Sequence, residues 1–230
     1  MVCIAGLGGT ADEWNPVRLG LGRHGMVVAA GVASGPTPAG RGGPLDAAVD
    51  AVDRVLAGAP PGSAVIGHSM GGLAGMLVAA RAGDRLAGLV LASAFVPAAR
   101  NGRSLVVTLA DYASHRALFA ADAAGRRRPQ ADGIPKLDRR TRVAGLAALG
   151  RYGLRPTAFH ALADRIACPV LVVHGDRDHH VPVTFALAAA ARHPAWEVRL
   201  LPGAGHFAHR DQPTAWLAAV EPWLAGLLDR

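Results

Sequence analysis

Short runs of aliphatic and β-branched residues alternate along the chain with longer segments in which Ala and Leu recur at helical spacing. Continuous apolar runs of this length are typical of strands that are buried on both faces of a parallel sheet. The alternation with helical segments therefore predicts an α/β fold, in which helices cover both faces of a mostly parallel sheet. We predict six strands, at 2–5, 26–30, 63–66, 86–92, 169–174 and 197–201.

Helical patterns fill most of the intervals between these strands. They lie at 10–19, 45–57, 70–82, 183–192 and 214–228. The region 97–165 breaks the alternation, because it is rich in Arg, contains the cluster R-R-R-P-Q-A-D-G-I-P and has no clear strand. We therefore predict an α/β core formed by residues 1–96 and 166–230, with an inserted helical cap at 97–165.

The 230 residues are enough to bury a full hydrophobic core without disulfides. Only Cys3 and Cys168 are present, and both adjoin apolar runs, so we interpret them as small core residues that suit a reducing compartment. No basic leader with a long apolar stretch and no apolar run of about 18 residues is found. These observations predict a cytoplasmic protein with no membrane partner.

The net charge of +7 is concentrated in one part of the chain. Residues 116–155 contain ten Lys and Arg against three Asp, a difference equal to the whole net charge. Such a segment attracts anions, although many charged runs are only solvated surfaces. Few aromatic residues and no nucleic-acid-binding motif accompany it, so we expect no nucleic-acid partner.

A G-x-S-x-G motif, formed by Gly67-His68-Ser69-Met70-Gly71, follows a predicted strand and leads directly into a predicted helix. An isolated motif of this kind is often only a glycine-rich turn. In the strand-turn-helix setting it predicts a sharp turn that holds Ser69 as a nucleophile. The helix that begins at Met70 would direct backbone N–H groups at an oxyanion formed beside Ser69.

A serine hydroxyl needs an imidazole base, and that base needs a carboxylate to fix its tautomer. Asp178 follows the strand at 169–174 and is the predicted acid, with Asp176 as the competing choice. His206 lies in a glycine-flanked loop after the strand at 197–201 and is the predicted base, with His209 as the alternative. The order Ser, Asp, His along the chain fits this assignment.

The segments G-H-S-M-G-G, H-G-D-R-D-H-H-V-P and P-G-A-G-H-F resemble the α/β-hydrolase superfamily, in particular its small serine esterases and thioesterases with a helical cap. The resemblance implies a cofactor-free enzyme. It also implies that the segment A-G-L-G-G-T-A-D-E-W, after the first core strand, supplies a second oxyanion donor, the N–H of Leu7, beside that of Met70. Ala5 stands where the family often has histidine.

The expected activity is cleavage of a carboxylic ester or thioester through an acyl-serine intermediate. The basic segment suggests an anionic substrate, a coenzyme A thioester or an acidic acyl carrier protein as a partner. An alternative is a non-hydrolytic enzyme of the same fold, a cyclase or lyase, or a C–C bond hydrolase, because fold alone does not fix the reaction.

Two other kinds of site are disfavoured by the sequence. His174, His179, His180, His206 and His209 are close together but form no zinc-binding motif, so we expect no metal. The glycines near the N-terminus do not complete a dinucleotide-binding G-x-G-x-x-G, because the sixth position is alanine.

Overall fold

A computed structural model describes residues 1–32, 43–94, 143–145, 147 and 156–228. Six strands form one sheet in the order β2-β1-β3-β4-β5-β6, and every pair of neighbours is parallel. The predicted α/β fold is therefore confirmed. The strands are β1 (Val2–Leu7), β2 (Val28–Val32), β3 (Ser63–His68), β4 (Leu86–Ala92), β5 (Val170–Gly175) and β6 (Glu197–Leu201).

Helices connect these strands across both faces of the sheet. The helix predicted at 10–19 is instead a 3₁₀ turn, Ala11–Trp14, followed by an α-helix. Pro16 lies in the first turn of that α-helix, where the missing backbone N–H of proline would have no partner within the helix. The α-helices whose bounds the structure describes are α1 (Asn15–Gly22), α2 (Pro44–Ala57), α3 (Met70–Ala82), α4 (Pro156–Ala163), α5 (Val183–Arg192), α6 (Ala208–Asp211) and α7 (Pro213–Leu228), with a second 3₁₀ turn at Gly83–Arg85.

Alternate strand residues point to opposite faces of the sheet and fill two separate hydrophobic clusters. In β1, for example, Val2 and Ile4 pack in one cluster and Cys3 in the other. The first cluster contains side chains of α2, α3, α4 and α5, whereas the second contains those of the first 3₁₀ turn, α1 and α7, including three buried tryptophans, Trp14, Trp216 and Trp223. The sheet is thus covered on both faces.

Both cysteines are buried and unbridged, as predicted. Burial raises the pKa of the Cys3 thiol to about 12 and that of Cys168 to about 11. Neither thiol ionises at neutral pH, which is the behaviour of a packing residue.

Most of the predicted cap, residues 97–165, lies outside the described residues. Its C-terminal part, α4, packs into the core cluster on one face of the sheet, where Phe159 is fully buried and Leu162 and Ala163 are also enclosed. Across the described ranges, no helix has both the length and the apolar character needed to cross a membrane.

Candidate active site

Every residue predicted for the site lies at the carboxyl end of a strand or just after it. Leu7 ends β1, Ser69 follows β3, Asp178 follows β5 and His206 follows β6. Because these strands are parallel, their carboxyl ends meet at one edge of the sheet, where α/β proteins bind ligands.

Ser69 occupies a sharp turn between β3 and α3. Its backbone dihedrals are φ 51° and ψ −118°, a conformation that residues other than glycine rarely adopt and that costs about 1–3 kcal/mol. The turn is held by two hydrogen bonds, from the N–H of Ser69 to the carbonyl of Ala92 (3.1 Å) and from the N–H of Gly72 to the carbonyl of Ser69 (3.1 Å). Such strain, maintained by the surrounding sheet, is typical of a nucleophile turn.

The glycines of the motif allow this turn to pack tightly against β1. A Cβ at Gly71 would collide with the carbonyl oxygens of Ile4 and Ala5, and one at Gly67 would collide with the backbone of Gly71. Both positions therefore require glycine because backbone, which cannot move aside, occupies the space.

The Asp178 carboxylate is buried and accepts four hydrogen-bond contacts. Oδ1 accepts from the backbone N–H groups of His180 and Val181, both at 2.8 Å, and Oδ2 lies 2.8 Å from Nδ1 of His206 and 3.2 Å from Nε2 of His174. Burial alone would raise the pKa of Asp178, but the interactions with His206 and His174 outweigh it and hold that pKa well below its usual value. The carboxylate is therefore ionised at neutral pH.

Asp176, the competing choice for the acid, has a different environment. It is exposed, and its Oδ1 accepts a hydrogen bond from the backbone N–H of Gly203 at 2.7 Å. This contact joins the loop after β5 to the loop after β6. Asp176 thus supports the position of the His206 loop without contacting the imidazole that Asp178 holds.

His206 is buried, and its contact with Asp178 fixes its tautomer. Nδ1 must carry the proton that it donates to the carboxylate, which leaves the lone pair of Nε2 to act as a base. Burial lowers the pKa of His206, and the opposing effect of Asp178 is smaller. The ring lies 4.7 Å, between centroids, from that of His68, the residue directly before Ser69. The structure thus brings the predicted base to the nucleophile turn.

The predicted oxyanion donors also lie beside Ser69. A Cβ built on Gly6 would stand 3.3 Å from the Cβ of Ser69, so the chain that leads into Leu7 passes next to the nucleophile. Met70, the other predicted donor, is the first residue of α3. The segments that carry both predicted donors therefore adjoin Ser69, and the donation of the Leu7 and Met70 N–H groups to an oxyanion stays a prediction.

A second buried carboxylate lies next to this site and was not predicted. Oε1 of Glu13 is 2.8 Å from Nδ1 of His68 and 3.4 Å from Nε2 of His209, and the N–H of Gly6 donates to the same carboxylate at 3.3 Å. Glu13 lies within the segment A-G-L-G-G-T-A-D-E-W, but the resemblance of that segment assigns a role only to its backbone, so the sequence offers no signal for the Glu13 side chain. His209, the alternative base, therefore contacts Glu13 and not Asp178.

Glu13, His68 and His209 are potential metal ligands by type, and their ligand atoms all lie within 4.8 Å of one another. Ligand atoms around a tetrahedral zinc ion are about 3.3 Å apart, given metal–ligand bonds of roughly 2.0–2.1 Å. The 2.8 Å separation of Nδ1 and Oε1 is shorter and matches an ion pair. The three residues fit a charge-paired cluster better than a metal site.

Comparison with known proteins assigns the family. A model of the alpha/beta hydrolase family matches residues 1–220. The chain belongs to this family. A search of curated proteins finds no significant match.

Solved structures of several hydrolases share the fold. A monoacylglycerol lipase from Paleococcus ferrophilus is 20% identical, with a TM-score of 0.65 over 98% of this chain and 93% of that one. The 2-hydroxy-6-oxo-6-phenylhexa-2,4-dienoate hydrolase of Rhodococcus sp. strain RHA1 is 20% identical, with a TM-score of 0.63 over 100% and 90%. A thioesterase domain from the curacin biosynthetic pathway is 18% identical, with a TM-score of 0.62 over 94% and 89%. At these identities the likeness concerns the fold.

Proposed function

We propose that this α/β hydrolase cleaves carboxylic esters or thioesters through an acyl-serine intermediate. The observation that carries the proposal is the buried Asp178–His206 pair, with Nδ1 and Oδ2 2.8 Å apart, at the same sheet edge as the strained turn of Ser69. An ionised carboxylate, a neutral imidazole and a serine in this order form the machinery of serine acyl transfer.

In the first half-reaction, Nε2 of His206 takes the hydroxyl proton of Ser69 while Oγ attacks the substrate carbonyl carbon. The negative charge that develops on the carbonyl oxygen is stabilised by the N–H groups of Leu7 and Met70. Collapse of this intermediate breaks the bond to the alcohol or thiol, which leaves with the proton from His206. Asp178 stays ionised and stabilises the imidazolium.

In the second half-reaction, Nε2 of His206 takes a proton from water, and the hydroxyl oxygen attacks the acyl-serine carbonyl. The ester bond to Ser69 breaks, Oγ recovers its proton from His206, and the carboxylic acid is released. The printed names of the structural neighbours, which include a lipase and a thioesterase, support ester or thioester cleavage.

For the substrate, we infer an anionic or carrier-linked acyl group, such as a coenzyme A thioester or the thioester of an acidic acyl carrier protein. The support is the basic segment 116–155, in which Lys and Arg outnumber acidic residues by seven. Gly145, within that segment, lies against the side chain of Leu7, next to the nucleophile turn. Arginines brought near a reacting ester raise the local concentration of anions. Higher salt is then expected to lower kcat/KM for anionic thioesters but not for neutral esters.

The nucleophile is tested with Ser69→Ala and, as the matched control, Ser63→Ala at the opposite end of β3, where the hydroxyl donates a hydrogen bond to the carbonyl of Pro60. Ser69→Ala is expected to abolish both labelling by a fluorophosphonate and turnover of p-nitrophenyl esters and acyl thioesters, whereas Ser63→Ala retains both. Turnover by Ser69→Ala at the wild-type rate would refute the assignment. Turnover by the wild type of a non-ester substrate without any acyl-enzyme would instead support the cyclase or lyase alternative.

A further inference from the structure

The Glu13 carboxylate connects three parts of the active site. It accepts the N–H of Gly6, directly before Leu7, and it pairs with His68, directly before Ser69. Through His209 it also contacts α6, the helix that follows the His206 loop. The side chains of Glu13, His68 and His209 are only 6%, 1% and 1% exposed, so these contacts are shielded from solvent.

The contacts of His68 determine how many protons its ring carries. Nε2 lies 3.0 Å from the backbone carbonyl of His206, an acceptor only, so Nε2 must be the donor. Nδ1 lies 2.8 Å from a carboxylate oxygen of Glu13, out of line for a hydrogen bond but within ion-pair distance, and at this distance the carboxylate attracts a protonated ring and repels a bare lone pair. The His68–Glu13 pair therefore holds an additional proton.

We assign that proton to the imidazole of His68, because a carboxylic acid is a stronger acid than an imidazolium and the two groups are 2.8 Å apart. Burial raises the pKa of Glu13, but the charges and hydrogen bonds of His68 and His209 outweigh burial and hold the pKa well below its ordinary value. His209 is neutral in this arrangement, because burial lowers its pKa to about 4, against the raising effect of Glu13. The cluster is thus one carboxylate paired with one imidazolium, beside a neutral imidazole.

We propose that Glu13, His68 and His209 form a buried positioning unit that joins the oxyanion segment, the nucleophile turn and the base loop, and that the His68 cation keeps His206 in its neutral form. His68 anchors the backbone of His206 through the Nε2–H bond, and its charge lies 4.7 Å, between ring centroids, from the base. A cation at this distance disfavours a second one on His206. The inference rests on the proposed function of His206.

Other titratable groups also face His206. Asp178 faces its Nδ1 from the loop after β5 and favours the imidazolium, whereas His174 from β5 disfavours it. The ring of His180, from the same loop as Asp178, lies 4.9 Å from that of His206. His68 is the group that approaches His206 from β3, on the side of the nucleophile.

Glu13→Gln separates charge from packing, because glutamine has the same size and can accept the N–H of Gly6 but cannot hold the cation on His68. We expect kcat to fall about tenfold or more as the segments lose their relative positions. We also expect the acidic limb of the kcat/KM profile to move up by about one pH unit, because His206 loses the neighbouring cation. Asp12→Asn removes the same charge one residue away, at an exposed carboxylate, and should change neither quantity.

A purely structural role of Glu13 would lower kcat without moving the pH profile. A folded Glu13→Gln variant with an unmoved acidic limb would therefore overturn the proposal. So would a stoichiometric metal ion that a chelator removes from the wild type, because the cluster would then be a metal site.

The charge state can also be read without any activity measurement. Ring ¹⁵N spectra of the wild type at pH 7 should show His68 with both nitrogens protonated, and the His68→Gln variant identifies its signals. A single neutral tautomer of His68 would overturn the proposal, even if Glu13→Gln is too unstable to assay. If instead the wild type neither turns over esters nor reacts at Ser69 while His68 is the imidazolium, the proposed function fails and the charged cluster stands.

Discussion

Replacement of Asp178 by Asn tests the proposed acid most directly, because the surroundings dictate how the amide must orient. Two backbone N–H groups, those of His180 and Val181, point at Oδ1 from 2.8 Å and belong to a turn that cannot rotate away. The amide oxygen must accept both. The NH₂ group is then left at the position of Oδ2, 2.8 Å from Nδ1 of His206.

The amide at this position selects the wrong tautomer of His206. Nδ1 must accept from the NH₂ group, so the ring proton moves to Nε2, the atom that has to take the proton from Ser69. His174 cannot relieve the conflict, because its Nε2 donates to the carbonyl of Val181 at 2.9 Å and is itself a donor facing the amide. Such a change in a Ser-His-Asp triad lowers kcat by about 10⁴-fold, which corresponds to about 5 kcal/mol in the activation barrier.

The assay is kcat for a p-nitrophenyl ester, with circular dichroism and a thermal melt to show that the variant is folded. Asp176→Asn is the matched control, since its amide oxygen can still accept the N–H of Gly203, and kcat should stay within about threefold of the wild type. The reasoning is refuted if Asp178→Asn keeps more than about a tenth of the wild-type kcat while Asp176→Asn loses about 100-fold or more.

Two further predictions concern the pH profile and the nucleophile turn. Because His206 must be neutral to act as a base and its pKa is lowered by burial, kcat/KM should fall as the pH decreases, with a midpoint below the ordinary histidine value of about 6.5; a midpoint above that value in rates measured from pH 4 to 8 contradicts the burial argument. Gly71→Ala should reduce the free energy of unfolding by about 3 kcal/mol or more, because the new Cβ meets the backbone of β1. Gly226→Ala, at an exposed position of α7 with no atom within 4 Å of the added Cβ, should increase it by about 0.5–1 kcal/mol in the same urea titrations.

The strands were predictable from sequence because their apolar runs have no other plausible location, and β4 and β6 have the predicted bounds. β1 and β3 each extend two residues beyond the predicted C-terminal end. The apolar pattern stops at a glycine, Gly6 in β1 and Gly67 in β3, but the strand continues through it. A glycine weakens a strand only in the absence of other support, and here it is needed for close backbone approach to the nucleophile turn. The helix α6 has four residues, too few for a periodic pattern to indicate it.

The roles of residues 206 and 209 show what spacing along the chain cannot determine. Both are histidines in one loop-helix segment, and a linear motif cannot specify which of them reaches a given carboxylate. The distinction comes from two acids on different strand connections, since Asp178 pairs with His206 and Glu13 contacts His209. A glutamate near the N-terminus is ordinarily a solvated side chain, so its burial becomes evident only when β1 and β3 are placed side by side. The residues proposed to perform the chemistry can therefore be predicted from motifs, whereas those proposed to position them depend on which strands are neighbours in the sheet.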